Sequence, residues 1–312
     1  MRAFQEARPL LSAVELNLFT AVGAGASAAE AASRAGTDPR ATEMLLNALV
    51  ALGALEKRDE RFFNTADSAR FLVDGTAESA RAGLMHTVNL WNTWSTLTEC
   101  VRKGGPVFVP GSEKREESWT RSFIAAMHNN AAAQAGTMVR VGGTTPMRRL
   151  LDIGGGSGAY SIAFAQAHPS LEAEIFDLPS VLPLAQQYVA AAGLSERIST
   201  RPGDLTCDEF GSGYDLALLS AICHMLSPEE NRDLLVRVHR SLVPGGRLII
   251  RDFILDPDKT SPKPAALFSL NMLVGTRTGA SYSEAEYREW LAAAGFTGVS
   301  RPDSNGDYLI AD

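Results

Sequence analysis

Cysteine is scarce in this chain. Among 312 residues there are three, Cys100, Cys207 and Cys223. The number is odd and shows no metal-ligand spacing, so neither a disulfide framework nor a cysteine-built metal centre is expected, and no metal is assigned. Long apolar runs are missing too: none reaches the roughly 18–20 residues that a membrane helix needs. The first stretch, "MRAFQEARPLLSAVEL", is interrupted by charges and lacks the apolar core of a signal peptide. A reducing, cytoplasmic setting without a membrane partner is the expectation. An excess of positive charge is also absent. Lys and Arg number 29 against 36 Asp and Glu, a net charge of −7, which argues against general affinity for nucleic acid. What remains is an ordinary globular composition, 45% hydrophobic and 21% charged, in a chain long enough for two domains.

The two halves have different patterning. In the first, "SAAEAASRAG" has a serine cap at Ser27 and a stop at Gly36, and Asp38-Pro39 opens a second helix. Met44, Leu45, Ala48, Leu49 and Leu52 are spaced as one apolar helical face. "ALEKRDERFFNT" then suggests two short strands about a charged turn. Helix, helix, hairpin is the order of a winged helix, whose second helix in a DNA reader enters the major groove. Residues 1–80 hold eight basic and eleven acidic side chains, the wrong balance for phosphate. An interaction or dimerisation module is the better reading. Further helices are expected in "WNTWSTLTECV" and "SWTRSFIAAMHNNAAAQAGTMV", broken by the loop "KGGPVFVPGSEKREES". Trp91, Trp94, Trp119 and Phe123 are either simple core or the roof of a pocket, with Met127, His128 and Asn130 as further candidate lining.

From about residue 148, strands and helices alternate: "RRLLDIG", "GAYSIAFAQAH", "EAEIFDL", "SVLPLAQQYVAAAG", "RISTRPGD", "YDLALLSAI", "PEENRDLLVRVHRSL", "GRLIIRDFI" and "SEAEYREWLAAAG". This pattern implies a doubly wound, mostly parallel α/β sheet, with ligands beyond the carboxyl ends of its strands. The turn "LLDIGGGSGAY" joins the first strand to its helix, with Gly154, Gly156 and Gly158 following Asp152. Glycine permits positive φ and close approach of a ligand to the backbone. A tight strand-to-helix turn is the plainer reading. However, Asp177 ends the next strand, about 20 residues on, where a ribose-binding carboxylate is usual, and Asp204 ends the third. A nucleoside-containing cofactor follows. The spacing D-x-G-x-G-x-G departs from the dinucleotide pattern G-x-G-x-x-G and resembles the class I methyltransferase loop that holds S-adenosylmethionine (SAM).

The resemblance extends along the chain. "LSAVELNLFTAV", "DPRATEMLLNALVALGALEK", "LLDIGGGSG", "FDLPSV", "GDL", "ICH", "PEENRDLL" and "LVPGGRLII" occur in the order found in one family. It comprises the plant caffeic acid/flavonoid-type and bacterial O-methyltransferases with an N-terminal winged-helix dimerisation domain. The resemblance implies a class I, Rossmann-like methyltransferase domain over 148–312, a dimerisation domain over 1–100 and a helical segment over 101–147 contributing to the substrate pocket. It implies a homodimer whose N-terminal helices help roof the partner's pocket. It implies SAM as cofactor, with Gly154 in contact, Asp177 on the ribose, and Asp204 with Leu205 at the adenine. The acceptor it implies is a small hydroxyl compound, aromatic or polyketide-like.

His224 stands where that family has its general base. Methyl transfer to a hydroxyl requires the oxygen to lose its proton, and histidine titrates near neutral pH. A packed core imidazole is the competing reading. His86, His128, His168 and His239 have weaker claims. Relatives of the plant type carry Asp where Met225 stands, often a lysine near SAM where Ser220 stands, and two glutamates flanking the histidine. Asp252 occupies one of those glutamate positions and is expected to orient the imidazole; Ser281 occupies the other. These departures leave open a family member with altered, positioning-only chemistry. A winged-helix ligand sensor and an NAD-dependent reductase are further alternatives, opposed by the acidic first half and by the glycine spacing.

Overall fold

The computed structural model describes residues 3–76, 78–107, 117–143, 147–302 and 307–312. Most of the loop over 103–118 and the side chain of Trp119 lie outside the described residues. The chain divides into two compact units, Met1–Asn92 and Thr93–Asp312.

The first unit contains α1 (Ala3–Glu15), α2 (Leu18–Val22), α3 (Ala28–Ala35), α4 (Pro39–Ala51), the hairpin β1 (Leu55–Arg58) and β2 (Arg61–Asn64), α5 (Ala66–Phe71) and most of α6 (Arg81–Trp94). The helix signals act as read. Ser27 and Glu30 form a reciprocal capping box, and Gly36 closes α3 at φ 66°. Asp38 caps α4 by accepting the Ala41 N–H at 2.8 Å. Two differences stand out. "MRAFQEARPLLSAVELNLFTAV", which reads as one long helix, breaks at Asn17, whose φ of 54° is left-handed. The buried stripe of α4 runs through Thr42, Leu46 and Leu49, while Met44 and Leu52 are exposed. The core that selects this face contains Leu18, Phe19, Val22, Leu46, Leu49 and Phe62.

The second unit continues with α7 (Leu97–Lys103), α8 (Glu117–Gly142), β3 (Arg149–Ile153), α9 (Ala159–Ala167), β4 (Glu172–Asp177), α10 (Leu182–Ala191), β5 (Ile198–Pro202) and β6 (Tyr214–Ser220). After a short 3-10 turn, Cys223–Met225, come α11 (Pro228–Ser241), β7 (Leu242–Arg251), α12 (Lys263–Gly275), α13 (Glu284–Ala294) and β8 (Tyr308–Ala311). The six strands lie in the order β5-β4-β3-β6-β7-β8. All pairs are parallel except β7–β8. The sheet is apolar on both faces because both are covered. On β6, Ala217 and Leu219 join a core with Leu234, Leu235, Tyr287 and Trp290 of α11 and α13. Leu216 and Leu218 join another with Met138 of α8, Phe164 of α9 and Ala185 of α10. Strand order reverses between β4 and β6 around β3, so the crevice at this switch point opens at the carboxyl ends of β3 and β6.

Candidate active site

The turn after β3 is shaped by its glycines. Gly154, Gly156 and Gly158 all have positive φ, at 65°, 59° and 74°. A Cβ on Gly154 would stand 2.3 Å from Ile222 Cδ1, and one on Gly158 would stand 2.4 Å from Ile175 Cδ1. A Cβ on Gly156 would meet only Ile124 Cδ1, at 3.8 Å. The loop is therefore packed from below and more open at Gly156. Gly154 N–H donates to the Phe176 carbonyl at 2.7 Å, fastening the loop to β4.

Acidic groups surround this turn. Asp177 accepts the Gly156 N–H at 2.8 Å and the Leu178 N–H at 2.7 Å. Burial raises its carboxyl above the ordinary value, against the pull of those two amides. Asp152 is fully buried and accepts the Ser161 hydroxyl at 2.7 Å. Desolvation, opposed by Ser161 and reinforced by the charge of Asp177, pushes it up to about 6. Asp204 is exposed and turns its carboxylate into its own turn, onto the Thr206 N–H and hydroxyl at 2.9 and 2.7 Å, which lower it. Leu205 reaches the loop: its Cδ2 lies 3.6 Å from where a Gly154 Cβ would be. Ile222, just after β6, was not foreseen, because an isoleucine in an apolar run carries no signal of lying against a ligand loop.

His224 is held in the 3-10 turn that follows β6. Asn231 Nδ2 donates to the Cys223 carbonyl at 2.9 Å, and the Tyr282 hydroxyl donates to Leu226 O. The ring is buried, and its Nδ1 lies 2.6 Å from Asp252 Oδ1. Asp252 Oδ2 accepts the backbone N–H of His224 at 3.1 Å, and Oδ1 accepts that of Phe253 at 2.8 Å. Burial alone would raise the Asp252 carboxyl. The His224 charge and these hydrogen bonds outweigh it and hold the carboxyl below its ordinary value. In the neutral tautomer that points its Nδ1 proton at the carboxylate, Nε2 is the nitrogen that carries the lone pair. Phe253 and Phe268 stack on each other with centroids 3.6 Å apart, and both meet the imidazole in T-shaped contacts. Ser281 is buried and donates to the Ala265 carbonyl at 2.9 Å. Met225 is 42% exposed.

The other candidates are distributed over two regions. His128 of α8 lies on the glycine turn, with Nδ1 2.9 Å from Ser157 Oγ and its ring stacked on Tyr188 at 4.0 Å; burial lowers its pKa. Phe123 and Met127 are half-buried on α8, and Asn130 is exposed. Trp94 Nε1 donates to Asn271 Oδ1 of α12 at 2.9 Å. Ser220 ends β6 directly beside Arg251 of β7.

The O-methyltransferase domain model matches residues 94–297, and the O-methyltransferase dimerisation domain model matches residues 1–75. The chain belongs to the O-methyltransferase family. A 3-hydroxy-5-methyl-1-naphthoate 3-O-methyltransferase from Streptomyces sahachiroi is 38% identical over 309 residues, covering 95% of this chain and 89% of the relative. The tetracenomycin polyketide synthesis 8-O-methyl transferase of Streptomyces glaucescens is 31% identical, covering 99% and 93%. The solved structure of PigF with S-adenosylhomocysteine (SAH) superposes with a TM-score of 0.90 at 30% identity, covering 100% of this chain and 96% of that one. The protein is a SAM-dependent O-methyltransferase with the class I methyltransferase fold. Its own residues fit that cofactor. The glycine turn has an open side at Gly156, and the groups around it are carboxylates, suited to ribose hydroxyls and a sulfonium cation and unsuited to a pyrophosphate. No helix among the described residues is long and apolar enough to cross a membrane.

Proposed function

We propose that the protein methylates a hydroxyl of a small aromatic or polyketide-type acceptor, with His224 as general base and Asp252 as the group that orients and charges it. The observation that carries this reading is the buried His224–Asp252 pair at the carboxyl end of the sheet. SAM supplies the methyl group as an electrophilic carbon on sulfonium sulfur. The chain then has three tasks. The glycine turn (Gly154, Gly156, Gly158), Asp152, Asp177, Asp204, Leu205 and Ser220 bind the nucleoside and amino-acid parts. Trp94, Phe123, Met127, His128 and Asn130 border the acceptor space. His224 Nε2 takes the acceptor proton, and Asp252 favours the imidazolium that results. The Phe253–Phe268 stack beside the ring is apolar and planar, as an aromatic acceptor requires.

The active form in this reading is a homodimer assembled through the first unit, where Phe4, Leu16, Met44 and Leu52 are exposed. The three free cysteines suit the reducing cytoplasm. The test is incubation with methyl-labelled SAM and a panel of naphthols, catechols, hydroxynaphthoates and polyketide aglycones. Label is expected on oxygen. Label exclusively on carbon or nitrogen, or on none of these acceptors despite bound SAM, would overturn the acceptor assignment.

A further inference from the structure

A polar cluster adjoins the cofactor edge at Ser220. It sits on the α8–α9 face of the sheet, where β6 and β7 end and β8 begins. Arg251 is the last residue of β7, paired with Ser220 on one side and Tyr308 on the other. Tyr160, in the first turn of α9, lies beside Arg251 and Ser220, and its phenol is raised by burial and held back by that guanidinium. Tyr308 donates to Gln134 Oε1 of α8 at 3.3 Å.

Two donors of the cluster are incompletely satisfied. Arg251 Nε and the Tyr160 hydroxyl are buried, and neither makes a well-formed hydrogen bond among the described residues, although the phenol faces Ser220 and another edge of the guanidinium faces the Tyr308 hydroxyl. The Arg251 side chain as a whole is 16% exposed, so part of it remains accessible. Its counter-ion, Asp307, stands 3.8 Å away, beyond hydrogen-bonding distance, and is itself 44% exposed. The other charges facing the cluster are Asp152 towards Tyr160, and Arg301 and Asp252 towards Asp307. Buried N–H and O–H groups in native proteins are almost always paired. A planar guanidinium edge with an adjacent phenol matches the two oxygens of a carboxylate.

The geometry points to a carboxylate-binding subsite formed by Arg251 and Tyr160, at the end of β6 and next to the cofactor edge. This inference rests on the reading of that edge as the SAM site. Two small molecules meeting there can supply the carboxylate: SAM through its amino-acid end, or the acceptor when it is a hydroxy acid. Either occupant is anchored at the crevice by a charge-assisted pair that a neutral analogue cannot form.

Calorimetry on the full chain tests this without turnover. The probes are SAH and its decarboxylated analogue, and, with SAH present, a hydroxynaphthoate and its methyl ester. If the cofactor supplies the carboxylate, Arg251→Met weakens SAH by on the order of 10- to 100-fold and leaves the decarboxylated analogue unchanged. If the acceptor supplies it, SAH is unaffected while the hydroxynaphthoate loses affinity and its ester does not. Tyr160→Phe gives a smaller loss of the same selectivity, and Arg251→Lys restores part of it. Equal affinities within each probe pair for the unmodified chain would overturn the inference even if Arg251→Met failed to fold. So would folded Arg251→Met and Tyr160→Phe variants that bind every probe normally. Absence of SAH binding to the unmodified chain would instead remove the site reading beneath it.

Discussion

Asp252 holds His224 at two points: its Oδ1 lies 2.6 Å from the ring Nδ1, and its Oδ2 accepts the backbone N–H of the same residue at 3.1 Å. One buried carboxylate thus fixes the ring rotamer and the turn that carries it. Both residues lie just past the ends of neighbouring strands, β6 and β7, so parallel pairing of the sheet brings together positions 28 apart in sequence.

His224→Ala is expected to keep SAH affinity within about twofold, while turnover falls by roughly 10²–10⁴-fold, the usual contribution of a positioned acid–base group. The loss should shrink for acceptors with more acidic hydroxyls, and as pH rises towards the acceptor's own pKa. A packed imidazole without a catalytic role would lower the melting temperature and leave the rate per folded molecule normal. Single-turnover rates normalised to SAH-binding sites distinguish the two.

Asp252→Asn should lower turnover in the same way but by less, since Nε2 remains while the charge that favours imidazolium is gone. It also has a signature in stability. The folded Asp252 carboxyl is held below its ordinary value, so its contribution is present above the unfolded pKa and is lost as pH falls through the folded one. Urea unfolding should show the gap between the unmodified chain and Asp252→Asn narrowing on acidification below about pH 4. A gap independent of pH would mean that Asp252 titrates alike in both states.

The first unit is expected to pair two chains. Phe4 is 58% exposed, Leu16 41%, Met44 61% and Leu52 43%. Because the chain's own core does not use them, replacing all four with Ser, Gln, Lys and Gln should change the chain's intrinsic stability little. Light scattering at micromolar concentration should report two chains for the unmodified protein and one for the variant. A monomeric unmodified protein would refute the pairing.

Much of this arrangement was legible beforehand because it is encoded locally. Ser27, Asp38 and Ser283 are caps whose side chains accept the N–H three residues on. Alternating strands and helices fixed the sheet, and the D-x-G-x-G-x-G spacing marked its ligand edge. The elements that escaped were those whose identity is decided by tertiary packing. α12 begins at a Ser-Pro-Lys-Pro stretch that reads as loop, yet it brings Phe268 and Asn271 to the site. β8 has four residues and pairs antiparallel at the sheet edge, which no local pattern announces. On α4, the spacing reads as a face through Met44, Leu45, Ala48, Leu49 and Leu52, and packing against α3, β1 and α1 selects instead the stripe through Leu46 and Leu49. His128 reads as pocket lining; its contact with Ser157 depends on how α8 crosses the glycine turn.

Asp152 should show the opposite pH linkage to Asp252. It ends no hydrogen-bonded ion pair; it is buried with the Ser161 hydroxyl and repelled by Asp177, which pushes its carboxyl up to about 6. A raised folded pKa means that the fold prefers the protonated form. Stability from this group is greatest below the unfolded value near 4, declines as pH rises from about 4 to 6, and is level above that, a total cost of about 3 kcal/mol. Asp152→Asn retains an acceptor for Ser161 but cannot ionise. Relative to the unmodified chain, the variant should therefore gain about 2 kcal/mol between pH 4 and pH 7, whatever constant penalty the amide introduces. The same substitution should weaken SAM more than neutral methylthioadenosine, because a buried anion that destabilises the empty fold is repaid when a cationic ligand lies against it. Chemical unfolding of both chains at pH 4 and pH 7, with calorimetry of the two ligands, checks both halves. A difference in stability that does not vary with pH would show that Asp152 ionises in the fold as readily as in the unfolded chain.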